Sequence, residues 1–259
     1  MNSPAEYTQS VHTMLSIAKD QNTPISESST ILDFGCGYGQ ATAALIEIGF
    51  PRTFGADTDP DLIELARSTA SSSDREHFCN IHPNPYQIPF DDNFFDFVFS
   101  NQVFEHVRDL DVAFHELHRV MRPNALGIHI FPPKFRILET HTFVPFGNIV
   151  MSHLWHRLWA NLGFRKRSRG AGSASECAAA NLQFIREYTV YRTEKEILRI
   201  ASEQGLSANF IHSLPYSKAF RLPRNLRTSW LLNKLYGLFI SKVLIIVKNF
   251  PDSQSALKG

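Results

Sequence analysis

The sequence predicts an α/β protein built around a parallel sheet. Between residues 30 and 130, short apolar runs alternate with helix-like segments, which is the pattern of successive βαβ units. The chain has 259 residues, of which 43% are hydrophobic and 20% charged, so it can bury a large apolar core. These proportions exclude a disordered or low-complexity chain.

The predicted strands and helices follow one another in a regular order up to residue 131. Four apolar runs are predicted as strands: TILDF (30–34), TFGAD (53–57), FDFVFS (95–100) and LGIHIF (126–131). Three helices are predicted between them: residues 40–49, residues 60–70, which open on a proline, and about residues 110–121, which end before Pro123.

The regular alternation stops after the strand at 126–131. We interpret residues 134–185 as a helical insertion that caps the carboxyl edge of the sheet, where open α/β folds place their ligands. Within it, apolar residues at helical spacing predict a helix over about 149–164, followed by the basic run 165–169. Residues 1–133 and 186–259 would then form the core domain.

Regular signals return near Thr193. Thr193 and Glu196 have the spacing of a capping box, which predicts a helix to about Gln204. The last predicted elements are a strand over 207–212, a basic helical stretch over 226–240 and a strand over 242–248.

Charge is distributed unevenly along the chain. The formal net charge is +1, which argues against a protein that holds nucleic acid by overall electrostatic attraction. Residues 1–150 carry a net charge of −10 and residues 151–259 a net charge of +11. The basic second half is expected to face either an anionic partner or the acidic first half.

The cysteines and the apolar segments of the sequence indicate where in the cell the protein is located. The three cysteines include no Cys-x-x-Cys pair, so neither a disulfide framework nor a zinc ribbon is predicted. The first ten residues lack a secretory signal pattern, and lysines interrupt the apolar stretch 230–247. We expect a cytoplasmic protein, with a peripheral membrane contact through residues 149–169 as an alternative.

A glycine-rich turn between the first strand and the first helix is the strongest functional signal. It contains Asp33, Gly35, Gly37 and Gly39 at alternate positions, and glycine lets the backbone turn sharply and approach a ligand. The carboxylate of Asp33 favours a ligand with an ammonium or sulfonium cation over a pyrophosphate. Asp57, at the end of the second strand, is placed to bind the hydroxyls of a ribose. A nucleoside with a cationic tail satisfies both acids.

Four motifs in a fixed order extend this signal over about residues 28–133. They are ILDFGCGYG, GADTDPDLIELAR, NPYQIPFDDNFFDFVFSNQVFEHV and LHRVMRP, with a weaker echo at 188–206. Together they resemble the class I S-adenosylmethionine-dependent methyltransferases, in particular the ubiquinone/menaquinone-type (methyltransferase type 11) subgroup. The resemblance implies a Rossmann-like, doubly wound sheet of seven strands, mostly parallel with the last strand antiparallel, and S-adenosylmethionine as cofactor.

The resemblance also implies which residues bind the cofactor. Asp33 and the backbone of residues 35–37 would hold the methionine portion, Asp57 the ribose, and Thr58 and Asn84 the adenine. The full set of implied contacts is Asp33, Gly35, Cys36, Gly37, Asp57, Thr58, Asn84, Pro85, Tyr86, Ser100, Asn101 and Gln102.

The methyl group of this cofactor is already activated, so the protein needs mainly to orient the acceptor and exclude water. If the acceptor is a hydroxyl, a histidine can take its proton. We select His106, in the EHV motif, and His141, just beyond the fifth strand, as candidate catalytic residues, and we predict no metal ligands. The expected acceptor is a small molecule or a glycan- or lipid-linked compound that is methylated at oxygen.

Two other classes stay open. An NAD(P)-dependent oxidoreductase also uses a glycine turn, and Tyr191 and Lys195 match the Tyr-x-x-x-Lys of short-chain dehydrogenases. A non-catalytic methyltransferase-like binding module is the other. It would explain Asn84, where the family usually has Asp, and Asn124-Ala125, where it commonly has Gly-Gly. A nucleic-acid substrate is not expected, because no Asn-Pro-Pro-Tyr motif follows the fourth strand.

Overall fold

The computed structural model describes residues 4–23, 25–164, 172–216 and 229–249. Its strands are β1 (Ile31–Phe34), β2 (Thr53–Asp57), β3 (Phe78–Asn80), β4 (His82–Pro83), β5 (Tyr86–Gln87), β6 (Phe95–Asn101), β7 (Met121–Phe131), β8 (Leu206–Ile211) and β9 (Lys242–Lys248). Its helices are α1 (Pro4–Asp20), α2 (Gln40–Glu47), α3 (Pro60–Thr69), α4 (Leu110–Val120), α5 (His153–Asn161), α6 (Ala174–Tyr188), α7 (Glu194–Glu203) and α8 (Trp230–Phe239).

A seven-stranded sheet forms the centre of the molecule, in the order β3-β2-β1-β6-β7-β9-β8. The pairs from β3 to β7 are parallel, whereas β9 runs antiparallel to both β7 and β8. The predicted fold class is therefore confirmed. The strand order reverses between β1 and β6, and open α/β sheets bind ligands at the carboxyl ends of the strands at such a point.

Alternating side chains of the central strands build an apolar core on each face of the sheet. On β6, Val98 packs on one face, and Phe97 and Phe99 pack on the other. The first face is covered by α4 and α7, through Phe114, Leu117, Ile197 and Ala201. The second face is covered by α1 and α2, through Val11, Met14, Ile17 and Leu45. The candidate site lies at the edge of the sheet where the parallel strands have their carboxyl ends.

Local signals place most of the element ends. The side chain of Asp59 caps α3 by accepting from the backbone N–H of Asp61, and the predicted capping box of Thr193 and Glu196 starts α7. The strand β9 has the predicted bounds, whereas β7 begins at Met121, five residues before the predicted start. Of the helix predicted over 226–240, residues 226–228 lie outside the described residues.

Two helices were not predicted from the sequence. One is α1, and the other is α6, which begins at a capping box of Ser173 and Glu176. Small side chains of α6 pack on α5 through Ala160, Ala174 and Cys177, so the pattern of large apolar residues is weak there. Because α6 continues to Tyr188, it runs past the end proposed for the insertion at residue 185.

The helix α5 has an apolar outer face. Leu154, Leu158 and Leu162 follow one another every four residues and are 74%, 50% and 61% exposed. The indole of Trp155 instead donates to the carbonyl of Pro145 at 2.8 Å, and His156 is buried. Every helix in the described ranges is too short or too polar to cross a lipid bilayer. The basic run 165–169, predicted to follow this helix, lies outside the described residues.

Candidate functional site

An open cavity of about 900 Å³ lies where the order of the strands reverses. Its walls come from the ends of β1, β2 and β6, from the β4–β5 hairpin and from the end of α6. These elements contribute, in the same order, Gly35, Asp57, Gln102, Tyr86 and Tyr188. A cavity of this size falls within the range of small-molecule and cofactor sites. The end of α6 that lines the cavity, at Glu187 and Tyr188, lies beyond residue 185, and none of the described residues of the predicted insertion (134–185) lines it.

The glycine turn after β1 has a backbone that only glycine adopts easily. Gly35 has a φ of +75°, and a Cβ there would lie 2.5 Å from Cγ2 of Val103. Gly37 has a φ of +54°, but a Cβ there would meet no described atom within 4 Å. Gly35 is thus required by packing, whereas Gly37 borders open space.

Asp57 joins this turn to the end of β2. Its Oδ2 accepts the backbone N–H of Gly37 at 2.9 Å, and its Oδ1 accepts the N–H of Asp59 at 3.0 Å. The carboxylate also lines the cavity. These bonds hold an acidic group at the place where the sequence predicts the ribose contact.

Asp33 is buried behind the turn. The hydroxyl of Thr42 donates to its Oδ2 at 2.8 Å, and its side chain is not among the described residues that line the cavity. Burial, together with the negative charge of Asp57, raises the pKa of Asp33 to about 7. A cation that bound nearby would shift this carboxyl toward its ionised form.

Cys36 points away from the cavity. Its side chain packs against the apolar cluster of Ile63, Ala66 and Phe78. Burial and the neighbouring carboxylates of Asp33 and Asp57 raise the pKa of the thiol well above its usual value. A raised pKa disfavours the thiolate, which is the nucleophilic form of cysteine.

The other predicted cofactor residues fall into two groups. Thr58, Tyr86 and Gln102 line the cavity. The remaining four do not line it: Asn84 and Pro85 form the exposed tip of the β4–β5 hairpin, the hydroxyl of Ser100 is hydrogen-bonded to Nδ1 of buried His129 at 2.8 Å, and the amide of Asn101 donates to Ser10 at 3.2 Å. The assignment of these seven residues as cofactor contacts stays a prediction.

The two predicted catalytic histidines lie side by side. The rings of His106 and His141 are 4.8 Å apart between centroids and nearly perpendicular. Nδ1 of His106 is 2.6 Å from the carbonyl oxygen of Tyr188. A carbonyl only accepts, so Nδ1 carries a proton and Nε2 is left as the basic nitrogen of the neutral ring. His106 also lines the cavity.

Two buried carboxylates accompany this histidine pair. Glu105 is 2% exposed, and neither of its carboxylate oxygens has a hydrogen-bond partner in the described part of the chain. Burial raises the pKa of Glu105 to about 8, and the charge of Glu139 adds to this effect.

Glu139 is the opposite case. Burial alone would raise its pKa, but hydrogen bonds from Thr142, at 2.6 and 2.7 Å, and from the hydroxyl of Tyr191, at 2.7 Å, lower it. Sequence reasoning assigned no role to either glutamate. The signal that could have found Glu105 is its place beside His106 in the EHV motif.

The loop after β6 is fastened to the end of α6 and the segment that follows it. The N–H of Val190 donates to the carbonyl of Glu105 at 2.6 Å, and the guanidinium of Arg192 donates to the carbonyl of Val107 at 2.8 Å. Arg108 in turn donates to the carbonyls of Arg186 and Glu187. These bonds fix Tyr188 against the cavity.

The Tyr191 and Lys195 pair does not form an oxidoreductase site. The hydroxyl of Tyr191 donates to buried Glu139, and burial beside that carboxylate raises the pKa of the phenol. Lys195 is exposed on α7, and neither residue lines the large cavity. A dehydrogenase tyrosine needs a lowered pKa to donate or accept a proton near neutral pH, so the structure opposes this alternative.

Comparisons with known proteins identify the domain. Residues 32–128 match a family described as a methyltransferase domain. Demethylmenaquinone methyltransferase of Geobacillus stearothermophilus is 27% identical over 106 residues, which cover 40% of this chain and 45% of that protein.

Two solved structures share the fold. Phosphoethanolamine N-methyltransferase 2 of Haemonchus contortus, in complex with S-adenosyl-L-methionine, has a TM-score of 0.56 at 14% identity, covering 92% of this chain and 52% of that one. An S-adenosylmethionine-dependent methyltransferase of Mesorhizobium loti has a TM-score of 0.55 at 13% identity, covering 91% of this chain and 97% of that one.

The match over residues 32–128, the motifs and the sheet support the resemblance to the class I S-adenosylmethionine-dependent methyltransferases. The resemblance seen in the sequence is therefore confirmed, and S-adenosylmethionine is the cofactor of this class. The chain spans 45% of the length of the Geobacillus protein, so the similarity concerns the cofactor-binding domain.

The cavity fits this cofactor. An acidic side chain lines it at Asp57, and the buried amide oxygen of Gln102, which also lines it, has no hydrogen-bond partner within the described ranges. A polar nucleoside would donate hydrogen bonds to the carboxylate of Asp57 and to the amide oxygen of Gln102.

Proposed function

We propose that this protein is an S-adenosylmethionine-dependent methyltransferase that methylates an oxygen atom of a small-molecule or a glycan- or lipid-linked acceptor. The observation that carries this proposal is His106, which lines the cavity together with Asp57 and Gly35. The ring of His141 packs against His106, but His141 is not among the described residues that line the cavity. A proton acceptor at this position suits a hydroxyl acceptor, whose proton it can take.

The residues at the ends of β1 and β2 would hold the cofactor. Asp57 would accept hydrogen bonds from the ribose hydroxyls, and the open space at Gly37 would admit the chain that joins ribose to methionine. Buried Asp33 would favour the positively charged methionine end. When bound, the cofactor supplies a methyl group activated by a positively charged sulfur.

His106 is the first candidate for the proton acceptor. Its Nδ1–H donates to the carbonyl of Tyr188, which fixes the orientation of the ring and leaves Nε2 to accept. The ring of Tyr188 stacks on Phe184 with centroids 5.1 Å apart and is 59% exposed, so it offers a flat wall for an acceptor.

The similarity to a demethylmenaquinone methyltransferase supports a small-molecule acceptor. The net charge of +11 in residues 151–259 supports an acceptor or carrier that is anionic, such as a phosphorylated glycan or lipid intermediate. We do not propose a nucleic-acid substrate, because the net charge of the whole chain is only +1.

The outer face of α5 supports a peripheral membrane contact from the cytoplasmic side. Leu154, Leu158 and Leu162 form an exposed row, and the basic run 165–169 follows in the sequence. Anionic vesicles should therefore bind the protein more tightly than neutral vesicles, and Leu154→Ser combined with Leu158→Ser should weaken binding to both. Equal affinity for the two kinds of vesicle, or binding to neither, would contradict the contact.

An acceptor panel with isotope-labelled cofactor tests the enzymatic proposal. The panel contains hydroquinones, phenols, sugar phosphates and prenyl phosphates, and the products are analysed for methyl ethers. His106→Ala should lower turnover of a hydroxyl acceptor by about 100-fold or more, whereas His115→Ala, on the exposed side of α4, should not. Cofactor binding with no turnover across the panel would favour the non-catalytic binding module, and methylation at carbon or nitrogen would contradict the assignment to oxygen.

A further inference from the structure

We propose that Glu105, His106 and His141 form a binding site for a divalent transition-metal ion at the edge of the cofactor cavity. The role of such an ion in the reaction rests on the proposed function, but its binding does not. Neither the sequence motifs nor the similarities described above assign a metal to this domain.

The three side chains converge on one point. One ligand atom from each of them lies within 4.8 Å of the other two, and Oε1 of Glu105 is 4.0 Å from Nε2 of His106. Bonds of about 2.1 Å in a tetrahedral arrangement would separate two ligand atoms by about 3.4 Å. Small rotations of the side chains would close the remaining distance.

Glu105 is the observation that points to a ligand. Its carboxylate is 2% exposed, yet no described residue donates a hydrogen bond to either oxygen. The ionised form of a buried carboxylate without hydrogen-bond partners is costly, and a bound cation removes that cost. Glu139, which is also buried, shows the contrast because the hydrogen bonds from Thr142 and Tyr191 satisfy it.

His106 is oriented as metal-bound histidines are. Its Nδ1–H is directed to the carbonyl oxygen of Tyr188 at 2.6 Å, so Nε2 presents its lone pair. Such a hydrogen bond from the second ring nitrogen to a carbonyl commonly fixes a ligating imidazole. His106 is also 37% exposed, which leaves a path from solvent to the site.

The ligand set selects the class of ion. Two imidazole nitrogens and one carboxylate suit Zn²⁺, Co²⁺, Fe²⁺ or Mn²⁺, whereas Mg²⁺ and Ca²⁺ prefer oxygen ligands. Three protein ligands leave at least one coordination position for water or for an acceptor oxygen. An acceptor hydroxyl bound there would lose its proton to solvent more easily, and the two histidines would then act as ligands rather than as proton acceptors.

The test is a metal titration of the full-length protein after treatment with a chelator. Zn²⁺ binding is followed by calorimetry, and Co²⁺ binding by its visible absorption spectrum. We expect one ion per chain, and we expect Glu105→Gln and His141→Ala each to weaken binding by about 100-fold or more. His115→Ala, which changes an exposed histidine of α4, should leave the affinity unchanged.

Circular dichroism checks that each variant is folded, and His106→Ala serves as a further ligand variant at a partly exposed position. No binding of Zn²⁺ or Co²⁺, or equal binding by wild type, Glu105→Gln and His141→Ala, would overturn the site. Competition by an equal concentration of Mg²⁺ would overturn the assignment to a transition metal.

The same samples are titrated with S-adenosylhomocysteine. If this ligand binds but Zn²⁺ does not, the cation site is refuted and the proposed function stands. If Zn²⁺ binds but S-adenosylhomocysteine does not, the proposed function is refuted and the cation site stands.

Discussion

Raising the pH from 6 to 8 should strengthen the binding of S-adenosylhomocysteine by about tenfold. The reason is Asp33, whose pKa is raised to about 7 by burial and by the charge of Asp57. A carboxyl with that pKa is about one-tenth ionised at pH 6 and about nine-tenths ionised at pH 8. The ligand carries an ammonium group at its amino-acid end, and the ionised carboxylate attracts it.

The sign follows from linkage. Binding of a cation favours the ionised form of Asp33, so the complex holds fewer protons than the free protein, and affinity rises with pH. The increase should begin near pH 5 and level off above pH 8, because the carboxyl of the free protein is then already ionised. Calorimetry at several pH values, in buffers of matched ionic strength, measures this profile.

Two controls isolate the effect. Asp33→Asn preserves the shape of the side chain and can still accept the hydroxyl of Thr42, but it does not titrate, so its profile should be flat. 5′-Methylthioadenosine lacks the ammonium group and should also give a flat profile with the wild type. A tenfold increase that persists in Asp33→Asn, or no increase in the wild type, would refute the reasoning.

Three further predictions concern stability and binding. Because the pKa of Asp33 is higher in the folded protein than its usual 3.8, the free energy of unfolding should fall as the pH rises from about 4 to 7, by at most about 4 kcal/mol. Urea titrations of Asp33→Asn should show no such loss. Gly37→Ala should cost only about 1 kcal/mol of stability, since its Cβ has space, but should weaken cofactor binding at least tenfold; calorimetry that finds normal affinity would contradict this. Glu139→Gln should destabilise the fold by about 2–4 kcal/mol, because it weakens four hydrogen bonds to a buried charge, whereas Tyr191→Phe removes one of them and should cost about 1–2 kcal/mol. Equal effects of the two substitutions in urea denaturation would contradict the assignment.

The fold could be predicted from the sequence where local signals and packing agree. The run KVLIIVK is rich in apolar and β-branched residues, and it forms β9 over its whole length. Thr193 and Glu196 form the predicted capping box at the start of α7. The helix α6 could not be predicted, because its contact with α5 uses alanines and a cysteine, which leave little periodic signal. The early start of β7 at Met121 depends on pairing with β6, which the chain alone does not reveal.

The candidate site divides in the same way. Gly35 and Asp57 were predictable because Gly35 lies in the short turn after β1 and Asp57 ends β2, so local sequence signals mark both positions. Ser100 and Asn101 belong to the third motif, but their side chains alternate along β6. They contact His129 and Ser10, respectively, and do not line the cavity. Glu105 was missed because its burial depends on Val190 and the segment after α6, which lies 85 residues away in the chain.

Calorimetric titration of the purified protein with S-adenosylhomocysteine, repeated with Asp57→Ala, tests the central claim most directly. We expect one ligand per chain, and we expect the substitution to weaken binding by about 1.5–3 kcal/mol, or about 10- to 150-fold, because hydrogen bonds from the ribose to a charged group are lost. No heat of binding with the folded wild type, or the same dissociation constant in Asp57→Ala, would contradict the claim that this cavity is the cofactor site.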